Sequence, residues 1–293
     1  MRVILHIGLH KTGTTAVQTA WREAFPAGGG IWFPRVGYPP GHALIAWWLR
    51  EAAGVPGWHP LTEVMQEASS RRVDCLLLSS EEFHSASPEQ VERLKGVLRV
   101  HKVELQLTLT QPTHRWPSLW QEMVKHGWSA PQNKSVVSVD KPGVLGEARL
   151  EELVERWSIG EMTVCLVRQH PPEPRLAERV SDLMGVSLPA RLRRDLPAAN
   201  TSLGDVETRV LCEVNRLAPD TRGIGSTRGR AVVEALMASG PAGASRVVLD
   251  PEVVDHVAEV AALEKAALER LSESGRVRLD DRWGLLQEWD RMD

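Results

Sequence analysis

Apolar and polar positions alternate along this chain in blocks that predict strands and helices in turn. Val3 to Ile7 is a short apolar run broken by His6 and predicts a strand. Val17, Ala20, Trp21 and Ala24 then recur at i, i+3, i+4 and i+7, which predicts a helix over residues 14–25. Gly30–Pro34 reads as a second short strand, and residues 42–53 as a helix presenting Leu44, Trp47 and Trp48. Val73–Leu78 is a buried strand running into Ser79, Ser80, Glu81 and Glu82. At "SPEQ", Ser87 suits an N-cap, Pro88 the first helical turn and Gln90 a capping box, with Val91, Leu94 and Leu98 as the buried stripe.

Val103, Leu105, Leu107 and Leu109 alternate with polar residues, the pattern of a half-buried strand. "RWPSLWQEMVKHG" carries Trp116, Leu119, Trp120, Met123 and Val124 on one helical face, with Ser118 off that face. A helix with Leu150, Leu153, Val154 and Trp157 precedes an apolar strand, Met162–Val167. "HPPEP" (170–174) reads as a linker or loop. A helix follows with Val206, Val210, Leu211, Val214 and Leu217 in step, then a Gly/Arg loop from Asp220 to Arg230. Asp250 is placed to cap a long helix beginning at Pro251. Strand–helix alternation implies right-handed β-α-β units and a mostly parallel sheet between helical layers, a three-layer α/β sandwich. The expected organisation is one domain over residues 1–293, with an α/β core in 1–170 and a mainly helical continuation in 171–293.

Composition narrows the partners. The formal net charge of −3 gives no sign of general nucleic-acid affinity. The longest unbroken apolar run, Ala43–Leu49, is too short to span a bilayer. Cys75, Cys165 and Cys212 are far apart with no metal-binding spacing, so they read as reduced, buried thiols in a cytoplasmic protein. The 11 Trp against one Tyr and three Phe reflect either biased composition or a tryptophan-lined acceptor pocket.

The candidate chemistry lies in "LHIGLHKTGTTAVQ", Leu5 to Gln18, at the first strand-to-helix turn. Gly8 and Gly13 keep the glycine spacing of a P-loop, but Thr14 and Thr15 follow and the lysine comes early, as Lys11. Unpaired N–H groups and the dipole of a helix N-terminus favour an anion there. A nucleotide triphosphatase needs its lysine after the last glycine. Here that place is Thr14, and the charge at the tip suits a smaller target, the oxygen bridging a phosphate and its transferable group.

The motif "HIGLHKTGTTAVQ" resembles the 5′-phosphosulfate-binding loop of sulfotransferases that use 3′-phosphoadenosine-5′-phosphosulfate (PAPS). Weaker similarity continues through "GIWFPRVGYPPGHALIAWWL", "LLLSSEEF", "SLWQEMVKHG", "LEELVERWSIGEMTVCLV" and "NTSLGDVETRVLCEVNRL", so it covers most of residues 1–217. The resemblance implies a P-loop NTPase-like fold, PAPS as donor, 3′-phosphoadenosine-5′-phosphate (PAP) as product, no metal, and a small-molecule hydroxyl or amine acceptor. It places Lys11 on the bridging oxygen and Thr12, Gly13, Thr14 and Thr15 around the 5′-phosphosulfate, with His10 as a supporting contact rather than a base. The general base is open among His42, Glu81 and Glu82. Ser118 fits the serine of the usual 3′-phosphate clamp, but the arginine expected eight residues earlier is Thr110, followed by Gln111. Arg115, or Arg222, Arg228 and Arg230, are the candidate replacements. That departure keeps two further readings open: a non-catalytic relative, or an enzyme using an altered donor. A P-loop kinase is disfavoured by the early lysine.

Overall fold

Continuous apolar runs are the mark of strands covered on both faces, and three of them supply interior strands of the sheet. In a computed structural model of the chain, the described residues are 1–26, 30–37, 40–51, 60–137, 147–168, 175–192, 203–219, 223–239 and 247–289. "HPPEP" and Arg222 lie outside them. The elements run β1 (Arg2–Gly8), α1 (Thr14–Ala24), β2 (Ile31–Trp32), α2 (Ala43–Glu51), α3 (Pro60–Ser70), β3 (Cys75–Ser80), a 3-10 turn (Glu81–Ser85), α4 (Pro88–Leu98) and β4 (Lys102–Leu109). They continue with α5 (Pro112–Lys125), α6 (Gln132–Val137), α7 (Glu147–Arg156), β5 (Glu161–Leu166), α8 (Leu176–Leu183), α9 (Asp205–Leu217), α10 (Thr227–Ser239), α11 (Pro251–Glu273), β6 (Arg278–Asp280) and α12 (Leu285–Glu288). Among the described residues no helix is long and apolar enough to cross a membrane.

The chain divides into two compact units. The first comprises Met1–Thr110, Leu145–Pro197 and Leu263–Trp289. It holds a six-stranded sheet in the order β2-β3-β1-β4-β5-β6, in which every pairing is parallel. Val3, Leu5 and Ile7 of β1, with Leu105, Leu107 and Leu109 of β4, face a core completed by α2, α3, α4 and α7. Ile4, Leu77 and Cys165 face the opposite way, against Val17 and Trp21 of α1 and Val180 of α8. This is the expected three-layer α/β sandwich. β6 adds a strand from a stretch whose pattern reads as mainly helical.

Most local expectations hold. The capping box at α4 is present: Gln90 N–H donates to Ser87 Oγ at 3.3 Å, and Ser87 N–H to Gln90 Oε1 at 2.7 Å. The half-buried reading of β4 does not hold. Gln106 and Thr108 are buried as fully as their leucine neighbours, because β1 and β5 flank the strand and helices cover both faces. The tryptophans go chiefly to packing: Trp21, Trp116, Trp120 and Trp157 are among the largest fully buried side chains.

The second unit comprises Gln111–Val144, Ala198–Ala262 and Asp290–Asp293. Here α9 turns a different face inward from the one its apolar stripe suggests. Val206, Val210 and Leu217 are 64%, 45% and 70% exposed, while Thr208, Leu211, Cys212 and Asn215 are buried. Polar satisfaction explains the choice: Asn215 Nδ2 donates to the carbonyls of Val124 at 2.7 Å and Trp128 at 3.0 Å, and Gln121 Nε2 to that of Leu203 at 2.6 Å. The Gly/Arg stretch is not all loop. Its latter part opens α10, so Arg228 and Arg230 are helical.

Candidate functional site

Topology decides where the candidate site forms. Adjacent strands β1 and β3 send their connections to opposite sides of the sheet, and ligand crevices form beyond strand C-termini at such a switch point. Their register sets Ile7 beside Ser80. The loop after β1 (Leu9–Gly13) and the turn after β3 therefore emerge side by side.

Gly13 caps α1 in the left-handed region at φ 80°. Lys11 also has a positive φ, 64°, a conformation costing a side-chain-bearing residue on the order of 1 kcal/mol or more. Gly8 is needed for close approach: a Cβ there would lie 1.9 Å from Thr14 Cγ2. Thr14 is tied down, since its hydroxyl donates to Glu81 Oε1. Gly8→Ala should therefore displace the first turn of α1 and lower stability by about 1–3 kcal/mol, measured by urea denaturation.

The two threonines flanking Gly13 differ from the expected ligand-facing arrangement. Thr12 is wholly buried, and its hydroxyl donates to Leu9 O at 2.8 Å. Thr12 thus shapes the loop from behind instead of offering a hydroxyl to an anion. Its Oγ1 also lies 2.9 Å from Thr108 Oγ1, which lies 3.3 Å from His6 Nε2. His6 Nδ1 in turn lies 2.8 Å from Ser79 Oγ, to which Gln18 Nε2 donates at 3.0 Å. These partners admit one consistent direction of donation: Gln18 to Ser79, Ser79 to His6 Nδ1, His6 Nε2–H to Thr108, Thr108 to Thr12, and Thr12 to Leu9 O. A buried line of hydrogen bonds thereby ties the loop to β3, β1, β4 and α1. Burial pushes the His6 imidazole down to about 4, against a small opposing pull from the Glu81 charge.

His42 has a comparable structural role. It is fully buried; its Nδ1 accepts from Ser79 N–H at 2.9 Å and its Nε2 lies 2.8 Å from Pro34 O, to which it donates. Burial again lowers the imidazole to about 4, although both backbone bonds work to raise it. With both ring nitrogens engaged, His42 joins β3 to the segment before α2 and has no lone pair to offer an acceptor.

Glu81 and Glu82 open the 3-10 turn, where Glu82 N–H donates to Ser80 Oγ at 3.1 Å. Glu81 Oε2 lies 3.0 Å from His10 Nδ1, and Glu82 Oε1 lies 3.6 Å from His10 Nε2. Burial works to raise the Glu81 carboxyl. The His10 bond and charge, the Thr14 hydroxyl and the Lys11 charge outweigh it and hold the group below the ordinary carboxylate range. The structure thus brings His10, Lys11, Gly13, Thr14, Glu81 and Glu82 together in the first unit, with Thr15 half-buried in the first turn of α1.

The other candidates lie in the second unit. Arg115 and Ser118 are on α5; Arg115 is fully buried, and Ser118 Oγ donates to His114 O at 3.1 Å. Arg228 is exposed in the first turn of α10. The residue that the pattern reading undervalued is Thr108, hidden in an alternating strand. Its only sequence signal is a hydroxyl at the penultimate position of that strand.

No protein-family model matches the chain, and no curated protein matches it. Among solved structures, it is similar to a sulfotransferase from Alicyclobacillus acidocaldarius at 15% identity and a TM-score of 0.40, over 82% of this chain and 97% of that one.

Proposed function

We propose that the protein is a PAPS-dependent sulfotransferase acting on a hydroxyl or amine of a small molecule, with natural products among the candidate acceptors. The observation that carries this reading is the loop after β1. Gly8 and Gly13 bring backbone to the N-terminus of α1, and Lys11, held at a positive φ, places one full positive charge at the tip. That donor set fits a phosphosulfate: backbone N–H groups and the Thr15 hydroxyl for its oxygens, and Lys11 for the bridging oxygen, while the Thr14 hydroxyl stays on Glu81. The donor supplies an activated sulfuryl group. The chain's part is to orient that group and stabilise the charge that develops as its bond to phosphate breaks.

Isothermal calorimetry with PAP and with ATP and Mg²⁺ separates this reading from a kinase. Micromolar or tighter PAP binding without ATP–Mg²⁺ binding is expected; the reverse overturns the proposal. Negligible PAP affinity would support a non-catalytic relative. Thr110 and Gln111, standing where a clamp arginine is expected, favour one variant of the reading, a donor lacking the 3′-phosphate. Comparing PAP with adenosine 5′-phosphate tests it: an arginine-clamped phosphate should favour PAP by at least about tenfold, an effect of about 1.4 kcal/mol. Equal affinities would indicate the altered donor.

A further inference from the structure

We infer that His10, inside the anion-binding loop, is the proton acceptor of the reaction and that Glu81 is its positioning residue, an assignment that rests on the sulfotransferase reading above. His10 Nδ1 is 3.0 Å from Glu81 Oε2, and the other oxygen of that carboxylate is held by the Thr14 hydroxyl. Glu81 is therefore clamped at both oxygens, between the loop and the first residue of α1. An ionised carboxylate only accepts, so the proton between the two groups belongs to His10 Nδ1. The neutral ring then carries its lone pair on Nε2. That atom is 3.6 Å from Glu82 Oε1, beyond hydrogen-bond distance, and the side chain is 28% exposed.

The groups facing this imidazole from the elements around it are Glu81 and Glu82 on the 3-10 turn, His84 with its ring edge-on at 5.5 Å, and Lys11 next to it in the loop. The arrangement is a carboxylate–imidazole pair in which one group orients and the other accepts. His42, by contrast, has both nitrogens committed to backbone. In the step itself, the acceptor oxygen forms a bond to sulfur while the bond from sulfur to the bridging oxygen breaks. That electron pair stays on the leaving 5′-phosphate, beside Lys11, and the acceptor's proton passes to His10 Nε2. The products are the sulfated acceptor, PAP and an imidazolium that returns its proton to water.

The test combines kinetics with an activity-independent measurement. His10→Gln should lower kcat by about 10²–10³-fold, keep PAP affinity within about threefold, and remove the acid limb of the kcat/KM pH profile. Glu81→Gln should keep that limb, lower kcat and weaken the Nδ1–H tautomer preference of His10, because the ring loses its orienting carboxylate. Glu82→Gln should leave a limb in place. Nitrogen-15 NMR of the wild-type imidazoles should show His10 as the Nδ1–H tautomer. An unchanged acid limb in His10→Gln, its loss only in Glu82→Gln, or an Nε2–H tautomer would each overturn the assignment. A wild-type protein that neither binds PAP nor turns over PAPS would end the sulfotransferase reading, and the tautomer would still decide how His10 is built.

Discussion

Lys11→Gly is expected to slow sulfuryl transfer about a thousandfold while leaving the protein folded. A charged donor aimed at a leaving oxygen acts where charge develops, and removal of such a contact typically costs on the order of 10³ in kcat, about 4 kcal/mol. The substitution is unusual because backbone and side chain pull in opposite directions. Lys11 sits at φ 64°, a conformation that glycine adopts without steric cost. Lys11→Ala removes the charge but keeps the strain, whereas Lys11→Gly removes both. The glycine variant should therefore melt at or above the temperature of the alanine variant, with both about a thousandfold slower than wild type. Thermal melts and PAPS turnover on the two variants check this. Turnover within tenfold of wild type in either would remove Lys11 from the mechanism.

Acid should begin to destabilise the protein before its carboxylates titrate. His6 and His42 are each lowered from an ordinary 6.5 to about 4 in the folded chain, burial being the largest cause. Between those values the unfolded chain binds protons that the native chain does not. Stability from these groups is thus complete above about pH 6.5, declines as pH falls through the window, and levels off below about 4. A shift of that size corresponds to about 3 kcal/mol per imidazole, so the pair removes on the order of 6 kcal/mol. That is comparable to the whole stability of many domains. Glu81 is shifted down from 4.5, so its contribution is lost only below that value, as pH falls through its folded pKa. Urea titrations from pH 7.5 to 4 should show an uptake of about two protons on unfolding. A flat profile across that range would show that the two imidazoles are not buried and neutral. The consequence is local as well, since His6 lies in the hydrogen-bond line holding Thr12 and His42 anchors Ser79.

What could be read from the sequence was what neighbouring residues decide among themselves. The strand, glycine turn and helix of the loop are visible because 3.6-residue periodicity and glycine spacing act over a few positions. The capping box of Ser87 and Gln90 is legible for the same reason: both partners lie within one turn. Where local pattern met a conflicting tertiary demand, it lost. The apolar residues of α9 suggested one buried face, but Asn215 has the carbonyls of Val124 and Trp128 to satisfy in the interior, and the helix took another.

The sequence by itself determined that an anion-binding turn joins the first strand to the first helix, and that its charge is carried by Lys11. Only the tertiary structure decided what surrounds that turn. Glu81 meets His10 and Thr14 across about 70 residues because parallel pairing of β1 with β3 sets Ile7 beside Ser80. Thr12 turns away from the ligand side because Thr108 of β4 waits behind it. His42, a plausible base on paper, became a buried strut, and His10, a minor contact on paper, acquired an orienting carboxylate. Turn chemistry is written in consecutive residues, whereas strand order and register fix which distant side chain supplies each partner.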